Sequence, residues 1–212
     1  MSEKKIFRDF VCEVRAANDE EKGDYITGQP IVFGDTYDVG GMFAETIDEG
    51  ALDNTDLKDV RFLVNHNFSM IPLARSRNNN ANSTMQLEKV QGGLNIRAKL
   101  DTENNATAKE LYSAVSRGDI SGMSFAFLVD GEEWENLDSD YPIRHIRSIR
   151  SVFEVSAVTS PAYEATSIEA RSDVEALESA KTKLESERQK AAEERRAALE
   201  ALETRINRIM EG

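Results

Sequence analysis

Ser124 lies in an apolar run, Gly122 to Val129, just past the turn-forming stretch Arg117-Gly-Asp-Ile-Ser-Gly122. A hydroxyl there is either bonded to a neighbouring carbonyl and silent, or held in place for chemistry. Serine becomes a nucleophile where a base takes its proton and a third group fixes that base in one tautomer. The chain contains two histidines, His66 and His145. His145 is flanked by Arg144, Arg147 and Arg150, which disfavour its protonation and make it a poor partner for an acid. His66 is left as the candidate base, although its setting between Asn65 and Asn67 equally suits a surface or turn-capping histidine. Glu154 stands within the otherwise apolar "SVFEVSAV", where a carboxylate is costly to bury without a partner. It either orients an imidazole or faces water from an edge strand. Cys12 is the alternative nucleophile, but "FVCEV" reads as an interior strand in which a thiol is a small apolar filler.

The chain order is histidine, serine, acid. That matches neither the chymotrypsin order nor the α/β-hydrolase order, and no G-x-S-x-G elbow is present. Spacing alone therefore leaves a plausible constellation and no more.

Rigid elements have to carry these side chains. Residues 6–16 alternate loosely, as a strand does. Two short β-prone runs follow, divided by Gly28-Gln-Pro30 and by Gly40-Gly41. Asp59 to His66 reads as a strand with Phe62, Val64 and His66 on one face, and Met85 to Leu100 as a hairpin turning at Gly92-Gly93. Ala108, Leu111, Tyr112 and Val115 have helical spacing, with Asn104 or Asn105 as N-cap and Gly118 as C-cap. The run from Gly122 alternates again, Phe125, Phe127 and Val129 facing one way and Ser124, Ala126 and Leu128 the other. A polar loop over 131–142 precedes a last strand that ends at Thr159-Ser-Pro161.

From Ser172 to Met210 there is neither Gly nor Pro, and Ala, Glu, Lys, Arg and Leu dominate, which predicts one long helix. Val174, Leu177 and Leu184 form one apolar stretch; Leu199, Leu202, Ile206 and Ile209 form a second. Arg188, Ala191, Ala192 and Arg195 interrupt the seam between them, so a continuous coiled coil is not expected. The expected organisation is a domain over 1–171 and a helical extension over 172–212, an α+β chain.

Composition excludes several classes. A net charge of −13 argues against sequence-neutral nucleic-acid binding. No apolar run approaches the ~20 residues that cross a bilayer, and the N-terminal "MSEKKIFRDFVCEV" lacks the apolar core of a signal peptide. A single cysteine suits a reducing compartment, and with two histidines it leaves no basis for a His/Cys zinc site. No cofactor or metal is expected, and neither membrane nor nucleic acid as partner.

Six stretches occur in a telling order: "GQPIVFG", "DVGGMFAETIDEGAL", "FLVNHNFSMIPLARS", "GLNIRAKL", "LYSAVSRGDISGMSFAF" and "FEVSAVTSPAYEATSIEAR". Together, over 26–171, they resemble the prohead maturation proteases of tailed bacteriophages. The resemblance implies a serine endopeptidase related in fold to the herpesvirus assembly proteases, a closed β-sheet core with helices around it. It implies His66 as base and Ser124 as nucleophile, with Glu154 standing where the herpesvirus relatives use a second histidine. Ala126 and Ala74 occupy positions where glycine is common in the family. Backbone amides would form the oxyanion hole, with Arg75 as a further candidate donor. The implied substrates are capsid protein and scaffold segments, and the protease itself, inside a procapsid in the host cytoplasm. The helical extension would dock on scaffold helices or self-associate. A rival reading keeps the fold as a catalytically inactive assembly factor working through that helix, and a weaker one makes the chain a general esterase.

Overall fold

The computed structural model describes residues 6–10, 14–19, 23–159 and 171–210. Cys12 lies outside them, as do the side chains of Val174 and Leu177. The chain divides into two compact units. The first comprises Met1–Thr36, Thr46–Glu133 and His145–Ser167; the second comprises Tyr37–Glu45, Trp134–Arg144 and Ile168–Gly212.

Two sheets organise the first unit. The N-terminal run supplies not one strand but two, β1 (Ile6–Phe10) and β2 (Arg15–Asp19), which enter different sheets. The antiparallel order β2-β3-β9-β8 is completed by β3 (Gly23–Val32), β8 (Met85–Val90) and β9 (Gly93–Lys99). Strand β3 runs straight through Gly28-Gln-Pro30, where the sequence suggests a break. Its register shifts between Gly28 and Ile31, and such an irregularity accommodates a proline with no N–H to donate.

β4 (Thr36–Val39) and β5 (Phe43–Ile47) are joined at Gly40-Gly41 as the dipeptide predicts. The sheet that matters for chemistry also contains β6 (Asp59–Val64), β7 (Ala74–Arg77), β10 (Gly122–Glu135) and β11 (Ile143–Val158). Here β10 lies between β1 and β11, β5 lies beside β11, and β6 joins β11 in parallel and β7 antiparallel. The sheet is therefore mixed. Phe125 and Phe127 stack on one face of β10 with ring centroids 4.8 Å apart, as the alternation requires, and both are fully buried. Burying each ring contributes about 1.5–3 kcal/mol.

β10 extends five residues, 131–135, into the stretch expected to be loop. Asp130 and Glu133 pair there with Arg150 and Arg147 of β11, at 3.0 and 2.8 Å, and such cross-strand pairs prolong a ladder.

The helix α1 (Ala106–Arg117) buries Ala108, Leu111 and Val115 and packs on β2 and β3. Asn105 is its N-cap, accepting from the Ala108 N–H at 3.2 Å, and Gly118 closes it in the left-handed conformation.

In the second unit the long helix α2 (Arg171–Met210) seats Ala180 and Leu184 against Val39 and Phe43, with Met42, Trp134 and Leu137 around them. The arginines that interrupt the helix seam are bonded to the 137–139 loop. Arg188 donates to the Leu137 and Ser139 carbonyls at 3.0 and 2.6 Å, and Arg195 pairs with Asp138 at 2.5 Å. A buried pair, Arg144 to Glu45 at 2.9 Å, lies in the same unit.

One glycine is indispensable to the second sheet. Gly93 has φ +142°, and a Cβ there would meet the Ile31 carbonyl oxygen at 1.9 Å. That neighbour is backbone on a central strand and has nowhere to go. Gly93→Ala is expected to destabilise the chain by about 3 kcal/mol or more, read as a fall in Tm of roughly 6–12 °C; an unchanged Tm would contradict this register.

Candidate active site

Strand β11 is the spine of the site. Its Glu154–Ala157 segment lies in register with Arg61–Val64 of β6, and β10 flanks it on the other side. His66 follows β6, Glu154 sits within β11 and Ser124 within β10. Residues 58, 30 and 88 positions apart in the chain thus come from three adjoining strands of one sheet.

His66 is not the next residue of a strand. β6 stops at Val64, and Asn65 and His66 turn with φ +48° and +54°. His66 therefore leaves the face that Phe62 and Val64 share, and Phe62 and Leu63 are both buried. Asparagine tolerates the left-handed region better than most residues, and Asn65 is tied on both sides. Its N–H donates to the Ala157 carbonyl at 3.0 Å, and its side-chain oxygen accepts from the Thr159 N–H at 3.0 Å. This turn swings the imidazole back over β11.

There it meets Glu154. The distance from His66 Nδ1 to Glu154 Oε1 is 2.5 Å, with the carboxylate side chain fully buried and the imidazole 20% exposed. The solvent-facing alternative for Glu154 is thereby excluded. Its second oxygen, Oε2, accepts from the Ser156 hydroxyl at 2.5 Å. Both oxygens of a buried carboxylate are satisfied, the condition under which burial is tolerable. An ionised carboxylate only accepts, so Nδ1 must donate, and the neutral ring keeps its Nε2 lone pair for another proton.

Ser124 is opposite Asp9 of β1 in the antiparallel register and has no exposed surface. His145 lies elsewhere on β11, with its Nδ1 3.2 Å from Asp48 Oδ1, an acidic neighbour that its arginine-rich sequence setting does not suggest. Arg75 is committed to Asp59: Nε and Nη2 each lie 2.5 Å from one carboxylate oxygen, and the guanidinium holds the Asp59 carboxyl below the usual range. Two of its donors are thus unavailable for an oxyanion.

Sequence reasoning passed over Ser156. The signal was present in "FEVSAV", where positions 154 and 156 of a strand share a face.

The model of a protein family described as caudovirus prohead serine protease matches residues 11–180. The chain belongs to the caudovirus prohead serine proteases. It is 27% identical over 166 residues to the prohead protease of Enterobacteria phage HK97, a match covering 78% of this chain and 68% of that protein. Among solved structures, the bacteriophage T4 capsid assembly protease aligns over 76% of this chain and 100% of that one, at 11% identity and a TM-score of 0.47. A likeness of that size lends no weight to the fold. As a member of the prohead serine proteases, this chain is a maturation serine peptidase, a hydrolase of peptide bonds.

Proposed function

We propose that this prohead protease cuts capsid and scaffold segments within the procapsid, with Ser124 as nucleophile, His66 as general base and Glu154 as the group that orients the base. The observation that carries the reading is the 2.5 Å contact between His66 Nδ1 and the buried Glu154. In the reaction, His66 Nε2 takes the Ser124 proton as Oγ attacks the scissile carbonyl. The imidazolium that forms is stabilised by the adjoining carboxylate. It then returns the proton to the leaving amine, and water hydrolyses the acyl-enzyme by the same route. Backbone amides are the natural oxyanion donors, each worth ~3 kcal/mol. Because Ser124 is buried, substrate binding includes a local opening around β10.

The same reading takes the core as the closed sheet of the herpesvirus assembly proteases and the chain itself as one of its own substrates. Family membership and the strand-dominated mixed sheet support the first.

The extension has a role in this scheme. The N-terminal half of α2 is anchored through Ala180 and Leu184, whereas Leu199, Leu202, Ile206 and Ile209 are 56, 53, 48 and 71% exposed. Apolar residues at 3-4-3 spacing on a formed helix suit the groove of a partner helix, and we assign them to the helical scaffold segments.

Two experiments test these assignments. Co-expression of Ser124→Ala with the capsid protein is expected to abolish trimming, a loss of at least about 10⁴-fold in rate; trimming equal to wild type would end the assignment. The double variant Leu202→Glu/Ile206→Glu is expected to fold, to react normally with a fluorophosphonate, and to be missing from sedimented procapsids. Uptake at the wild-type level would remove the docking role.

A further inference from the structure

We propose that Ser156 is a positioning residue for this reaction, one hydroxyl that locks both the backbone and the side chain of the general base. The proposal rests on the reading of His66 and Ser124 given above.

The need for such a residue arises where β6 leaves the ladder. Regular pairing with β11 ends at Val64 opposite Ala157, and the Asn65 N–H still reaches the Ala157 carbonyl. Asn65 and His66 are both left-handed, so His66 lies beyond the end of the ladder. Its N–H donates to the Ser156 side-chain oxygen at 3.1 Å. A hydroxyl that accepts this bond has a single proton to place. That proton goes to Glu154 Oε2 at 2.5 Å. Once Oε2 is occupied, Oε1 is the oxygen that faces the imidazole.

The three bonds close a ring: His66 N–H to Ser156, Ser156 O–H to Glu154 Oε2, and His66 Nδ1–H to Glu154 Oε1. Each bond runs in a fixed direction because each donor has one proton to give. Ser156 and Glu154 are both fully buried, so water does not compete for either. To rotate the imidazole away from this orientation, the chain must break a bond of this ring or move the Asn65–His66 turn that follows β6. Alternation along β11 is what permits the device, since positions 154 and 156 project from the same face.

Ser156 touches neither substrate nor the reacting atoms, so its effect must pass through His66. Reaction with a fluorophosphonate reads that effect without any knowledge of the cleavage sequence. The Ser124 Oγ–P bond forms, the P–F bond breaks, fluoride leaves, and the hydroxyl proton passes to His66. Ser156→Ala is expected to lower the maximal labelling rate by about 10–100-fold, the scale of a base misplaced by an ångström. The probe's saturation constant should stay within about 2-fold, and Ser156→Thr, which restores the hydroxyl, should recover most of the rate. In a Glu154→Ala background, Ser156→Ala should cost less than about 3-fold more, because the ring is already open. Should Ser156→Ala not fold, Ser156→Cys, with a thiol that donates and accepts only weakly, is expected to show the same loss of rate.

A wild-type rate in Ser156→Ala, or an equal loss in both backgrounds, overturns the proposal. Labelling that persists in Ser124→Ala overturns the underlying reading instead, so the two failures are distinguishable.

Discussion

A carboxylate buried in a β-sheet sets the terms for everything around it. Glu154 has no accessible surface and lies on a strand with neighbours on both sides, where an unpartnered charge would not be tolerated. Its two oxygens need two donors, and the fold provides one from each of two sources. The hydroxyl comes from two residues along the same strand, and the imidazole from a turn that leaves the neighbouring strand. The sheet order, the parallel pairing of β6 with β11 and the left-handed turn at Asn65 and His66 are all required to bring that imidazole home. Charge-assisted bonds of this type are short and strong, and here they fix the orientation of the His66 ring.

Much of this was legible in the residues. The helix α1 was readable to within one residue at its N-cap, Asn104 or Asn105, and at its C-cap Gly118, because each reports a local preference that tertiary packing had no reason to override. The shared face of Phe125 and Phe127 followed from alternation, and the long helix α2 from a run of helix formers without Gly or Pro. Scarcity pointed to His66 once His145 was set aside, whereas Ser124 and Glu154 were only plausible partners until the resemblance to the prohead proteases gave them roles. What spacing could not supply was depth. Glu154 reads equally as an edge residue until β6 is known to pair with β11, a contact between segments about 90 residues apart. The left-handed turn was hidden for a similar reason. Asn65-His66-Asn67 signals a turn, but only the tie from Asn65 to Thr159 explains why the strand ends two residues before the histidine.

The misreadings share a cause. Gly28-Gln-Pro30 looked like a break and is a bulge in a continuous strand, and 131–135 looked like loop and is strand. In each case polar or turn-forming residues lie at a sheet position where neighbouring strands already fix the backbone. Local chemistry loses to pairing there. The long helix makes the complementary point. Arg188 and Arg195, which interrupt its apolar seam, bond the 137–139 loop, and the apolar residues beyond them are exposed.

The account stands on the proton that His66 holds toward Glu154, and nitrogen NMR of the histidine-labelled protein observes it directly. The second histidine, His145, is removed from the spectrum by substitution. At a pH where the ring is neutral, His66 is predicted to hold its proton on Nδ1 and present a bare Nε2. A neutral ring protonated on Nε2 instead would leave no lone pair to receive the Ser124 proton, and would contradict the account.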